Sequence, residues 1–195
     1  LPNFYFANIL LKLCRVHLSA PKASTMKKIL LLTLFLLPAL AFTQKLNQKT
    51  TDEKKGNEML IGYCNRDGFA QVNSNFDSAY RAEYAFYKPD DATMKLLDEK
   101  LKGVKVTIVM ATWCSDSKEW VPRFYKIMDQ LNFNYKNLTL ICVDRSKKAP
   151  GTEIDALKVE LVPTFVFYRK NRELGRIIEV PADMLEKEML KIVSK

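Results

Sequence analysis

The chain has 195 residues, 48% of them apolar and 27% charged, which is enough for one domain with a real core. A formal charge of +9 points first to nucleic acid, but Lys12, Arg15, Lys22, Lys27 and Lys28 all fall in residues 1–41, which hold no acid. Without them 26 basic residues face 22 acidic ones, an excess of +4 with no basic stripe interleaved with aromatics, so a nucleic-acid partner is not expected.

In chain order, residues 1–25 do not look like a targeting signal. They read either as an upstream segment before a true start at Met26 or as a genuine extension. Residues 26–41 read as a secretory signal peptide: Lys27-Lys28, a largely apolar run from Ile29 to Leu37, then the small-x-small triplet Ala39-Leu40-Ala41. The run is short for a membrane span, and a buried core helix is the alternative. Export to the periplasm or outside the cell follows, with no stable membrane anchor after cleavage. Cleavage near Ala41 removes the lone histidine, His17, and with it any Ser-His-Asp or Cys-His pair and any histidine-containing metal site; no metal and no cofactor is expected. It leaves three cysteines, Cys64, Cys114 and Cys142. An odd number in an oxidising compartment implies at least one free thiol or an intermolecular partner.

Residues 42–58 are polar and charged and read as a flexible leader. Residues 59–103 read as a helical N-terminal extension. Phe76, Tyr80, Tyr84 and Tyr87 recur at helical spacing, and Asp90 or Asp91 is placed to cap a second helix that Gly103 ends. The texture then changes. Val104 to Thr112 is β-branched and nearly continuous in apolar residues, as a strand buried on both faces should be. A helix interrupted by Pro122 follows, then a buried strand over Leu138 to Asp144, a turn with a short helix, a hairpin around Lys170-Asn171-Arg172 and a closing amphipathic helix. The order β-α-β-α-β-β-α specifies an α/β domain over residues 104–195, a central mixed sheet flanked by helices.

The stretch ATWCSDSKEWVPRF (Ala111 to Phe124) sits where the first strand meets its helix. A cysteine at a helix N-terminus stands in the positive end of the peptide dipoles and near unpaired N–H groups, which favours the nucleophilic thiolate. With Trp113-Cys114, Pro122 eight residues on, and Val162-Pro163-Thr164 before the hairpin, the chain resembles the thioredoxin-like family. Its nearest pattern is that of exported bacterial thioredoxin-like proteins with a WCxDS site. The resemblance covers residues 104–195. It implies that Cys114 is the attacking thiol, that Trp113, Val162 and Pro163 bind substrate, and that Pro163 is cis and faces the sulfur.

Ser117 stands where the family carries its resolving cysteine, and Ile108 where many members carry a buried acid. Both losses fall on the same half-reaction. Ser117 is still expected to donate a hydrogen bond to the Cys114 thiolate, and Asp116 to work against that thiolate, with Lys118 partly offsetting it. Cys142 reads as a buried structural thiol. Cys64 reads either the same way or as the resolving thiol, should the extension fold over the core. The basic rim Arg145 to Lys148 reads as solvated or as a seat for an acidic partner. Two functions stay open. One is thiol–disulfide exchange by a single thiol, reductase- or isomerase-like, on a protein or small-molecule disulfide with an external reducing thiol. The other is a non-catalytic peptide-binding module. A peroxidase is disfavoured because Ala111 occupies the position where peroxiredoxins place Thr or Ser.

Overall fold

The computed structural model describes residues 45–72 and 74–195; the expectations for residues 1–25 and 26–41, and for the start of the leader, fall outside them. Six strands form one sheet in the order β1-β2-β4-β3-β5-β6, with β1 Gln48–Thr51, β2 Glu58–Cys64, β3 Val104–Met110, β4 Leu138–Cys142, β5 Thr164–Arg169 and β6 Arg172–Ile178. The central pair, β3 and β4, is parallel, running from Val106↔Leu138 to Met110↔Cys142. All other pairs are antiparallel, so the sheet is mixed.

Period-2 alternation divides the core into two. Val106, Ile108 and Met110 of β3, with Leu140 and Cys142 of β4, face the larger cluster; Val109 and Ile141 face the smaller one. The larger cluster takes side chains from helices α1 Ser74–Phe86, α2 Asp91–Lys100, α3 Ser115–Gln130 and α5 Leu185–Val193. The short α4 Ile154–Leu157 and the loops beside it cover the smaller one. Phe124 of α3 stacks on Phe165 of β5 with ring centroids 5.0 Å apart. Each is fully buried, and burying such a ring contributes about 1.5–3 kcal/mol.

The two expected helices of the extension are present. The Asp90 carboxylate caps α2, accepting from the Thr93 N–H at 2.8 Å and its hydroxyl at 2.7 Å, and Gly103 turns the chain out with a φ of +73°. The residues before those helices differ from the sequence reading. Part of the leader expected to be flexible is strand β1, and residues 58–64, read largely as part of a helical extension, form strand β2. Their hydrogen bonds are the physical reason. β2 ladders onto β4 (Gly62↔Cys142), β1 ladders onto β2, and side-chain bonds such as Lys49–Glu58 at 3.2 Å and Asn47–Asn65 at 2.6 Å fasten the polar edge.

Pro122 does not interrupt α3, which runs unbroken from Ser115 to Gln130. The missing N–H removes one helical bond, but Val121, Pro122, Phe124 and Tyr125 are all buried, and that packing carries the axis through. At the β5–β6 turn Lys170 and Asn171 both take positive φ, 51° and 61°, the twist a two-residue hairpin demands.

The extension is tied to the family-like core by polar bonds that are partly or wholly buried. The Glu186 carboxylate at the start of α5 accepts from the Tyr87 hydroxyl at 2.6 Å and the Asp90 N–H at 2.8 Å. Asp129 of α3 accepts from Arg66 at 2.7 Å, Tyr84 at 2.7 Å and Tyr135, while the Arg66 guanidinium lies 4.4 Å from the Tyr125 ring centre. Burial works to raise the Asp129 carboxyl; the three bonds outweigh it and hold the group below the usual carboxylate range.

Candidate active site

Strand β3 delivers the chain to Ala111, and a tight turn, closed by the Cys114 N–H on the Ala111 carbonyl at 3.1 Å, places Cys114 at the N-cap of α3. The cysteine caps nothing with its side chain, which leaves the sulfur free to point across the turn. There the half-buried Sγ lies 3.1 Å from the Val162 carbonyl oxygen and donates to it as a thiol. The Val162–Pro163 peptide bond is cis, both residues are buried, and the Pro163 carbonyl is taken by the Glu179 N–H at 2.7 Å.

Trp113 precedes Cys114 in the same turn. Its indole N–H donates to the Val143 carbonyl at 3.2 Å, and the Arg145 guanidinium covers its face at 4.7 Å from the ring centre. Leu161, Ile178 and Val180, all exposed, lie beside Val162-Pro163: Leu161 precedes it, Ile178 pairs with Thr164, and Val180 follows Glu179. They give the site an exposed apolar margin.

Of the residues expected from the sequence, Val162 touches the Cys114 sulfur, Pro163 follows Val162 across the cis bond, and Trp113 is joined to Cys114 in the chain. Two other expectations are corrected. Ser117 is fully buried, and its Oγ accepts the Ala111 N–H at 3.2 Å; no bond to Cys114 is found for it among the described residues. The serine faces β3 because it lies one turn into α3, on the side packed against the sheet. Cys64 is not brought to Cys114. It belongs to the larger core cluster, where its thiol donates to the Gly62 carbonyl at 3.5 Å, while Cys114 packs on the smaller one. Burial pushes the Cys142 thiol up, so it stays protonated.

The basic rim is mostly spoken for. Lys148 pairs with Asp155 at 2.6 Å and Arg145 with Asp52, leaving Lys147 at 6.0 Å from the Trp113 ring centre. Asp52 and Thr112 are the site residues that sequence reasoning missed. Thr112 Oγ1 accepts the Leu60 N–H at 3.3 Å, so the β1–β2 hairpin touches the turn that carries Cys114. Nothing in the spacing announces a pair 93 residues apart. Among the described residues no group of three or more acidic, cysteine or histidine side chains is placed to hold a metal.

Comparison with known proteins places this geometry. The chain is 30% identical over 95 residues to a mitochondrial thioredoxin O of Oryza sativa subsp. japonica, an alignment covering 49% of this chain and 51% of that one. The chain thus spans about half the length of the curated relative it matches. Among solved structures, an HIV epitope-scaffold superposes with a TM-score of 0.50 at 12% identity, covering 65% of this chain and 88% of its own. Thioredoxin O2 of Arabidopsis thaliana in its oxidised state gives a TM-score of 0.35 at 22% identity, covering 50% and 83%. The family model for thioredoxin matches residues 91–191, from the capped start of α2, through the cysteine at the mouth of α3 and the Val162-Pro163 turn, to the last turn of α5. Over that span, more than half its length, the chain belongs to the thioredoxin family.

Proposed function

We propose that the protein is an exported thiol–disulfide exchange protein that works with one thiol, Cys114. One observation carries this reading. The half-exposed sulfur at the N-terminus of α3 has no second thiol in its motif: position 117 is a serine, whose buried hydroxyl is committed to the backbone of Ala111. Cys114 as thiolate attacks one sulfur of a disulfide R–S–S–R′, forming Cys114–S–S–R and releasing R′–S⁻. A second thiol, either external or from the same substrate, then attacks the mixed disulfide. It leaves with R as a new disulfide and returns Cys114 to its thiolate. No electrons are gained or lost by the protein over the cycle, which suits a reductase- or isomerase-like exchange.

The apolar margin of Leu161, Ile178 and Val180 beside Pro163 supports a polypeptide as the disulfide's carrier, and it also fits the second reading, a module that binds extended peptides without chemistry. Intact mass spectrometry of the chain carrying Cys14→Ser, after incubation with glutathione disulfide, separates the two. A single glutathione adduct, lost in Cys114→Ser, is expected of the exchange protein; an unmodified chain that still binds peptide would support the module instead.

A further inference from the structure

The hairpin turn at residues 52–57, outside the span matched by the family, delivers a buried carboxylate to the edge of the thiol site. The turn is built to present it. The Asp52 N–H donates to the Asn57 carbonyl at 2.7 Å, and the Asp52 carbonyl accepts from Gly56 at 2.7 Å. The Lys54 N–H donates to Asp52 Oδ1 at 3.0 Å. The carboxylate, 3% exposed, then grips Arg145 with both oxygens, Nε to Oδ1 at 2.6 Å and Nη2 to Oδ2 at 2.7 Å.

That two-pronged grip fixes the plane of a guanidinium, which a single contact does not. The central carbon of that guanidinium lies over the Trp113 ring, 4.7 Å from its centre, while the Val143 carbonyl holds the indole by its N–H. An indole pinned at one edge can still rock about that bond; a cation fixed over its face removes the freedom. A buried ion pair is weak evidence for stability alone, since well-packed apolar residues do as well. What this one adds is the orientation of the residue bonded to Cys114.

We propose that Asp52 is a positioning residue for the thiol site: it clamps Arg145 on Trp113 and so fixes the indole of the residue bonded to Cys114. The proposal rests on the exchange reading for its rate effect, but its structural claim, the fixed indole, stands apart from it. Lys147, 6.0 Å from the same ring centre and in no ion pair among the described residues, does not replace Arg145 when the clamp is released, because it lacks the planar fork.

The test uses the full chain carrying W120F, so that Trp113 is its sole tryptophan, and C14S, so that no thiol outside the described residues takes an adduct. Emission of Trp113 and the rate of adduct formation with glutathione disulfide are measured for D52N and D52E. In D52N, Trp113 emission is expected to shift and the rate to fall about tenfold, the scale on which small misplacements near a reacting centre cost rate. D52E, which keeps a carboxylate for the fork, is expected to recover most of both. Should D52N fail to fold, D52N/R145M removes both charges at once and is expected to show the same two changes. A folded D52N or D52N/R145M with unaltered emission and exchange overturns the proposal, even if its melting temperature falls, because Asp52 would then be only a staple for the hairpin. If the parent chain exchanges with no disulfide, the exchange reading fails, and the emission arm alone decides whether Asp52 positions Trp113.

Discussion

The Cys114 sulfur and the Val162 carbonyl oxygen lie 3.1 Å apart, joining the mouth of α3 to the segment before β5 across 48 residues of sequence. Cys114 is also the only half-exposed cysteine among the described residues; Cys64 and Cys142 are buried. Thiol reagents are therefore expected to modify Cys114 in the folded chain and to reach Cys64 and Cys142 only after denaturation. Alkylation followed by peptide mass mapping, with and without guanidinium, checks this. Equal labelling of Cys64 in the folded chain would contradict the burial described above.

Ser117 makes a second prediction with two arms. Ser117→Ala removes the acceptor of the fully buried Ala111 N–H and is expected to cost about 1–3 kcal/mol in denaturant unfolding, the penalty of an orphaned buried donor. It should leave the reactivity of Cys114 largely intact, since the two side chains are not bonded. Ser117→Cys places a second thiol one turn from the first. The adduct with glutathione disulfide, stable in the parent chain, is then expected to be released as glutathione with formation of an internal disulfide.

Much of this arrangement is legible in the residues themselves. The run Val104 to Met110 reads as a doubly covered strand because both faces of β3 are buried, and the Lys170-Asn171 turn announces its hairpin through residues that tolerate positive φ. Trp113, Cys114, Val162 and Pro163 are recognisable as one site only because a family pattern joins them. The polar text of β1, GlnLysThrThr, carries no strand signal; an edge strand exposing most of its side chains is specified by its ladder to β2 rather than by its own pattern. β2 was obscured by the aromatic helix that follows it. The Asp52–Arg145 pair is invisible for a different reason, since its partners come from turns that only the completed sheet brings together.

Glu186 tests how the extension is held. Its fully buried carboxylate takes bonds from Tyr87 and the Asp90 N–H. Glu186→Ala leaves both donors unanswered and is expected to cost about 3 kcal/mol, against about 1 kcal/mol for Tyr87→Phe, which deletes one donor and leaves the carboxylate a partner. Urea unfolding of the two variants gives the comparison. A Glu186→Ala loss no larger than that of Tyr87→Phe would show the Asp90 bond to be worth nothing.

Acid offers a further check, with a definite sign. The Arg145 bond holds the Asp52 carboxyl below its ordinary 3.8, at about 2, and the Thr93 hydroxyl and N–H hold Asp90 low as well. A carboxyl whose value is lower in the folded chain than in the unfolded one contributes stability that is complete above the unfolded value and disappears as pH falls through the folded one. The Asp52 contribution should thus be fully present at pH 5 and disappear between about pH 4 and about pH 2. Melting temperatures across that interval are expected to fall less steeply for Asp52→Asn than for the parent chain. Parallel curves would show that the pair does not carry the acid sensitivity.

The most direct test of the central claim is intact mass after the reduced chain carrying Cys14→Ser meets glutathione disulfide, with Cys114→Ser added alongside. The account predicts one glutathione on the parent chain, mapped to Cys114, persisting until an external thiol is added and absent from the variant. No adduct on the parent chain, or an adduct that survives in Cys114→Ser, would contradict exchange through this single thiol.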